Sequence, residues 1–285
     1  MAFEMRKLLR PNIANLIPYS CARNDFTGVA KVYLDANENW SGLGLGRNRY
    51  PDPLCEALRH KMEEVLGLPF DNTVIGNGSD EIIDNLIRMF CIPSLDKVII
   101  QSPTYGAYKV FCDINDVETV DIPLKEDFSM DLEALEKAKS CKAKLLFICS
   151  PNNPTANAFA LEDIEKICSF FEGIVVVDEA YIDFSSKGSA IGLLKDYPNL
   201  VIMRTLSKCW AQANSRLGIM ISSKEICSVM RSMKYPYNVG GPSQEEGLKA
   251  LENIEEVKKQ TAIILKERDR LVKELKNVSC VKVVY

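Results

Sequence analysis

Between residues 72 and 222 the sequence alternates short β-branched apolar runs with amphipathic helical patterns, and this alternation constrains the fold most. The runs are TVIG (73–76), KVIIQ (97–101), VETVDI (117–122), AKLLFIC (143–149), GIVVVD (173–178), NLVIM (199–203) and LGIMIS (217–222). Continuous apolar stretches such as LLFI and IVVV suit strands covered on both faces, as in a largely parallel sheet. Between them, DEIIDNLIRMFC (80–91), DLEALEKAKS (131–140) and LEDIEKICSFFE (161–172) place apolar residues at helical spacing. The pattern predicts an α/β fold, a mostly parallel seven-stranded sheet flanked by helices. Ligands of such sheets bind at the carboxyl ends of the strands.

After Pro242 the pattern changes. SQEEGLKALENIEEVKKQTAIILKERDRLVKELKN (243–277) is highly charged, with Val257, Ile264, Leu271 and Leu275 near heptad spacing. A long amphipathic helix packed on the domain is expected, with a coiled coil as the alternative. VSCVKVVY (278–285) then reads as the start of a strand. The expected division is an N-terminal segment (1–30), a large α/β domain (31–252), and a long helix opening an incomplete small domain (253–285).

Composition removes several function classes. Net charge is −4 with both signs interspersed, and no basic block points to nucleic acid. The longest apolar runs fall far short of a membrane span. Ten cysteines occur singly with no CxxC pair, which fits neither zinc nor a disulfide framework and suggests a reducing cytoplasm. With His60 as the single histidine, the chemistry has to come from other side chains.

Four strand ends carry unusual residues. NGSDE (77–81) follows the first strand; Ser79 reads as an N-cap, and the N–H groups of Asp80 and Glu81 as a phosphate cradle or simply a capped first turn. SPNNPTANA (150–158) is a rigid polar turn that aims Asn153 at a ligand or lies at the surface. Asp178 ends a run of three valines, where a carboxylate needs a cationic partner or else caps the next turn, and Tyr181 follows it. RTLSKCWAQANSRLG (204–218) offers Lys208, either solvated or reactive, with Thr205, Ser207 and Arg216 as phosphate donors. An amine, a carboxylate, an amide, a phenol and an anion cradle together meet the needs of pyridoxal phosphate (PLP).

The stretches LDANEN (34–39), RYPDP (49–53), GNGSDE (76–81), SPTYGAY (102–108), SPNNPT (150–155), VVDEAYIDF (176–184), RTLSK (204–208), SRLG (215–218) and KYPYNV (234–239) run in one order. In them the chain resembles the histidinol-phosphate aminotransferases, PLP-dependent transferases of fold type I. The resemblance implies that Lys208 bonds the cofactor and shuttles a proton, that Asp178 pairs with its ring nitrogen, and that Tyr181 and Asn153 bind its ring hydroxyl. It implies that Tyr105 stacks on the ring, and that Arg216, Thr205, Ser207, Asp80 and Glu81 hold the phosphate. Tyr50 would reach that phosphate from the partner subunit of a homodimer, and Tyr19 and Asn37 would meet substrate. Small amino and keto acids, with glutamate and 2-oxoglutarate as the donor pair, are the implied partners.

The chain also departs from the family. Trp40 stands where a proline is usual, Ala156 where a glycine is usual, and CWAQAN follows Lys208. Family members run several dozen residues further and supply there an arginine for the substrate carboxylate. The expectation is therefore cofactor binding with weak or no transamination, and solvated side chains for Arg268 and Arg270. The other readings are a PLP lyase, such as a phosphothreonine decarboxylase, and a non-catalytic dimer partner.

Overall fold

The computed structural model describes residues 3–19, 28, 30–281 and 283. Each apolar run forms a strand: β1 (Thr73–Asn77), β2 (Lys97–Ile100), β3 (Glu118–Asp121), β4 (Leu145–Cys149), β5 (Ile174–Asp178), β6 (Leu200–Thr205) and β7 (Leu217–Ser222). They make one seven-stranded sheet in the order β1-β7-β6-β5-β4-β2-β3. Strands β2 to β6 pair in parallel, whereas β7 is antiparallel to both β1 and β6. That reversal matters for the site. Because β7 runs the other way, the residue entering it, Arg216, arrives at the sheet end where β1 and β6 finish.

The helices are α1 (Met5–Leu8), α2 (Pro11–Ala14), α3 (Glu56–Leu66), α4 (Gly78–Phe90), α5 (Ala107–Ile114), α6 (Leu132–Lys137), α7 (Leu161–Phe170), α8 (Lys224–Met233), α9 (Gly241–Glu252) and α10 (Ile254–Leu275). Side chains alternate across the pleat into two apolar clusters. Val175, Val177, Ile202 and Ile219 pack with α3 and α7 residues such as Leu58, Met62 and Ile164. Val176, Val201, Met203 and Met220 pack on the opposite face with Ile83 and Leu86 of α4 and Ile226 of α8. Each fully buried aliphatic side chain contributes on the order of 1.5–3 kcal/mol of transfer free energy. The strands therefore form a firm base for what stands at their ends. His60 stacks on Phe70 at 4.1 Å and has a packing role.

The C-terminal part departs from expectation. The single helix anticipated over 243–277 is two helices, separated at Asn253. Its N–H bonds the Ala250 carbonyl and its Nδ2 the Lys249 carbonyl at 2.7 Å, so local side-chain bonding competes with helix continuation. The apolar stripe is engaged only at its start: Ile254 and Val257 lie against the core, while Ile264 and Leu271 are about half exposed. No strand forms over 278–281 or at 283, and residues 282, 284 and 285 of that run lie outside the described residues.

Candidate active site

The chain enters α4 directly from β1. The N-cap is Asn77, not Ser79, and its side chain makes no capping bond. Glu81 supplies the bond instead, its carboxylate accepting from the Asn77 N–H and from Asn238 Nδ2 at 2.7 Å. Glu81 therefore points back into the fold. With Asn77 as the first acceptor of the helix, the N–H groups of Ser79 and Asp80 have no intrahelical partner. The Gly78 N–H donates to the Arg216 carbonyl at 2.7 Å.

This crossing requires glycine twice. Gly78 has φ +78°, and a Cβ there would meet Arg216 Nη2 at 2.4 Å; a Cβ at Gly218 would strike the Gly78 backbone at 2.3 Å. The two bare backbones let the guanidinium lie over the start of α4. Arg216 Nη2 is 3.2 Å from Asp80 Oδ2, while the Tyr105 hydroxyl donates to Asp80 Oδ1 at 3.1 Å. The acid that would oppose an anion is thus already neutralised. From β6, Thr205 Oγ1 lies 2.9 Å from Ser207 Oγ, and the register sets Thr205 beside Gly218 and Gly218 beside Gly76. Uncapped N–H groups and a guanidinium meet at the start of α4 in a cradle suited to a phosphate, while the Thr205 hydroxyl, buried and also bonded to the Leu217 carbonyl at 3.1 Å, positions Ser207 beside it.

Asp178 ends β5 and is only 3% exposed. Its carboxylate accepts from the Tyr108 hydroxyl at 2.7 Å and the Ala180 N–H at 3.0 Å, with no cationic partner among the described residues. Burial raises its pKa, and these two donors pull it back. Tyr108 is fully buried, stacked on Phe147 at 4.7 Å and edge-on to Tyr105 at 5.5 Å. Burial pushes the Tyr105 phenol up to about 12, so it stays protonated and able to donate to Asp80. The role of Tyr108 was not read from SPTYGAY, although its spacing of three from Tyr105 puts both on one side of the turn entering α5. Tyr108→Phe leaves the Asp178 carboxylate with one donor fewer. Turnover is expected to fall by roughly tenfold with the fold retained, measured as kcat alongside thermal unfolding.

Lys208 follows β6 on an exposed turn, its Nζ 5.5 Å from the centroid of the Tyr181 ring. Its ammonium makes no ion pair or hydrogen bond among the described residues. Asn153 is partly exposed, and the buried member of the pair is Asn152. Asn152 Nδ2 bonds the Pro103 carbonyl and Thr155 Oγ1, and its Oδ1 accepts from Thr104. Asn152 thus locks the turn and leaves Asn153 facing the cleft. Ala156 holds φ +63°, the left-handed conformation that glycine adopts without strain. Ala156→Gly is expected to raise unfolding free energy by up to about 1 kcal/mol, its relief of strain partly offset by a freer unfolded chain; denaturant melts measure it.

A cleft of about 470 Å3 opens beside Asn153 and Tyr181, with Phe184, Lys187 and Arg268 also in its wall. Arg268 stands at the cleft wall with its side chain 56% exposed and paired with Asp269, as solvation predicts, while Arg270 pairs with Glu267 and Glu274 on the surface of α10. Tyr50 is half exposed and stacks on Tyr237 at 4.4 Å. Tyr19 and Asn37 are exposed; residues 20–27, which continue the Tyr19 segment, lie outside the described residues. Trp40 is 86% exposed.

A sheet of this topology with a lysine, a buried carboxylate and an anion cradle at its strand ends defines a class, and sequence comparison identifies the same one. The family Aminotransferase class I and II matches residues 19–284. A histidinol-phosphate aminotransferase of Christiangramia forsetii is 47% identical over 99% of this chain and 81% of its own length. That of Schizosaccharomyces pombe is 43% identical over 97% of this chain and 77% of its own length. The chain belongs to the class I and II aminotransferases and, within them, to the histidinol-phosphate aminotransferase family. The solved histidinol-phosphate aminotransferase of Clostridium acetobutylicum superposes with a TM-score of 0.75 at 28% identity, covering 87% of this chain and 73% of that one. The Sinorhizobium meliloti enzyme, solved with pyridoxal-5'-phosphate, has a TM-score of 0.75 at 22% identity, covering 83% and 65% respectively, and is similar in fold.

Proposed function

We propose that this chain is a PLP-dependent aminotransferase that exchanges an amino group between L-histidinol phosphate and 2-oxoglutarate, giving imidazole acetol phosphate and L-glutamate, in histidine biosynthesis. The carrying observation is the presence at neighbouring strand ends of an amine, Lys208, whose one contact among the described residues is the Tyr181 ring, and a buried carboxylate, Asp178, with no cationic partner among the described residues. A protonated pyridine ring supplies that cation, and the cradle of Arg216, Ser79, Asp80, Thr205 and Ser207 suits the cofactor phosphate. When bound, PLP supplies an electron sink for the charge left as the substrate Cα–H breaks.

The chain's own residues supply the rest. Lys208 Nζ would hold the cofactor through its aldehyde and, as a free amine, would carry the proton at the substrate Cα. Asp178 keeps the ring nitrogen protonated, with Tyr108 fixing the carboxylate. Tyr181, Asn153 and Tyr105 would hold the ring of the cofactor in place. The adjoining cleft carries Lys187 and Arg268 among its described lining residues, Arg268 being paired with Asp269 at 2.8 Å, so Lys187 is the cation there left to meet a substrate's negative charge. Tyr50 reaching a second subunit's phosphate fits a homodimer, and free buried thiols fit a reducing cytoplasm.

The test is product analysis. With L-histidinol phosphate and 2-oxoglutarate, glutamate and the keto phosphate are expected in equal amounts. Release of carbon dioxide from an amino-acid phosphate, without keto-acid formation, would assign a lyase instead.

A further inference from the structure

Behind Asp178 lies a second polar group that the chemistry above does not use. Glu179 is 2% exposed, and its carboxylate takes Arg204 Nε at 3.0 Å, the Ala190 N–H at 2.7 Å and the Ser189 hydroxyl. Arg204 Nη2 also donates to Ser189 Oγ at 2.8 Å. The Glu179 N–H continues the ladder past the end of β5, donating to the Met203 carbonyl at 2.7 Å. By the two-residue period of strands, Glu179 and Arg204 follow Val177 and Ile202 on one face, whereas Asp178 and Thr205 follow Val176 and Met203 on the other. The ion pair therefore ties the two strand ends together from the face opposite the site. It also joins both ends of the loop 179–190, which carries Tyr181.

A buried ion pair is poor evidence of net stabilisation, since desolvation offsets most of its attraction. An apolar substitute could fill this space; what the pair adds is a fixed geometry. We infer that Glu179 and Arg204, closed by Ser189, form a positioning pair that sets the spacing among Asp178, Tyr181 and Lys208; the inference rests on the function proposed above.

The test uses the full chain with PLP added, comparing the parent, Arg204→Lys and the double variant Glu179→Gln/Arg204→Met. The double variant leaves no charge unpaired within the Glu179 cluster, though Asp183 loses the attraction of Arg204, and it is expected to unfold, without cofactor, near the parent temperature. Two readouts follow: cofactor affinity from the absorbance of the lysine-bound form, and the pH midpoint of that absorbance. Affinity is expected to weaken roughly tenfold and the midpoint to move by about half a unit in the double variant, because sub-ångström displacement degrades such sites. Arg204→Lys keeps the charge and loses the two-nitrogen grip; it is expected to lie between parent and double variant, and it carries the test should the double variant not fold. Affinity and midpoint at parent values in the folded variants overturn the inference while leaving the function intact. A parent that forms no lysine-bound cofactor overturns the function and the inference together.

Discussion

Lys208→Ala is expected to lower kcat/KM for transamination by at least about 10^4-fold, since one substitution removes both the covalent anchor and the proton carrier. The fold should be unaffected. The side chain is exposed and lies 5.5 Å from the Tyr181 ring, and no buried contact depends on it. Unfolding of the cofactor-free variant should therefore match the parent, separating a chemical role from a structural one. Steady-state rates with L-histidinol phosphate, beside a cofactor-free thermal melt, provide the check. A variant within about tenfold of the parent would remove Lys208 from the chemistry.

The second large effect is at Asp178. Asp178→Asn is expected to lower kcat by about 10^2- to 10^3-fold, because a neutral amide cannot hold a proton on the ring nitrogen. The same substitution acts oppositely on the cofactor-free fold as pH changes. Burial raises the Asp178 pKa in the folded chain. Its contribution to stability is therefore complete below the unfolded value of about 3.9 and is lost as pH rises through the folded value. The unfolding free energy of Asp178→Asn relative to the parent should shift in favour of the variant from about pH 4 upward. A difference that stays flat between pH 4 and 8 would mean the carboxylate is already compensated without cofactor.

Much of this architecture was legible in the residues. The β-branched runs fixed all seven strands because burial on both faces leaves an uninterrupted apolar signature, as in IVVV (174–177). The end of the sheet that bears the site followed from chain direction alone. What was not legible depended on side-chain direction. The adjacent asparagines look alike in sequence, yet Asn152 is buried and locks the turn while Asn153 is partly exposed, although both border the cleft. Neighbouring acids likewise diverge: Asp178 faces Tyr108, and Glu179 turns to Arg204 on the other face. The backbone N–H of Glu81 was read as part of the anion cradle, but with Asn77 as the N-cap it is the first N–H with a partner inside α4, which leaves those of Ser79 and Asp80 for an anion. The uniform charge of 243–277 concealed the break at Asn253, since periodicity does not register a side chain that bonds its own preceding turn. In contrast, the departure at Ala156 was readable, because a position where glycine is usual is consistent with a left-handed residue, and φ is +63° there.

The central claim is that the strand ends of β1, β5 and β6 build one cofactor site around a single amine. Its most direct test is to load the purified chain with PLP, fix the adduct with borohydride and map the labelled peptide. A single label on Lys208, absent from Lys208→Ala, is the expected result. A label on another lysine, or none on a folded chain, would contradict the account.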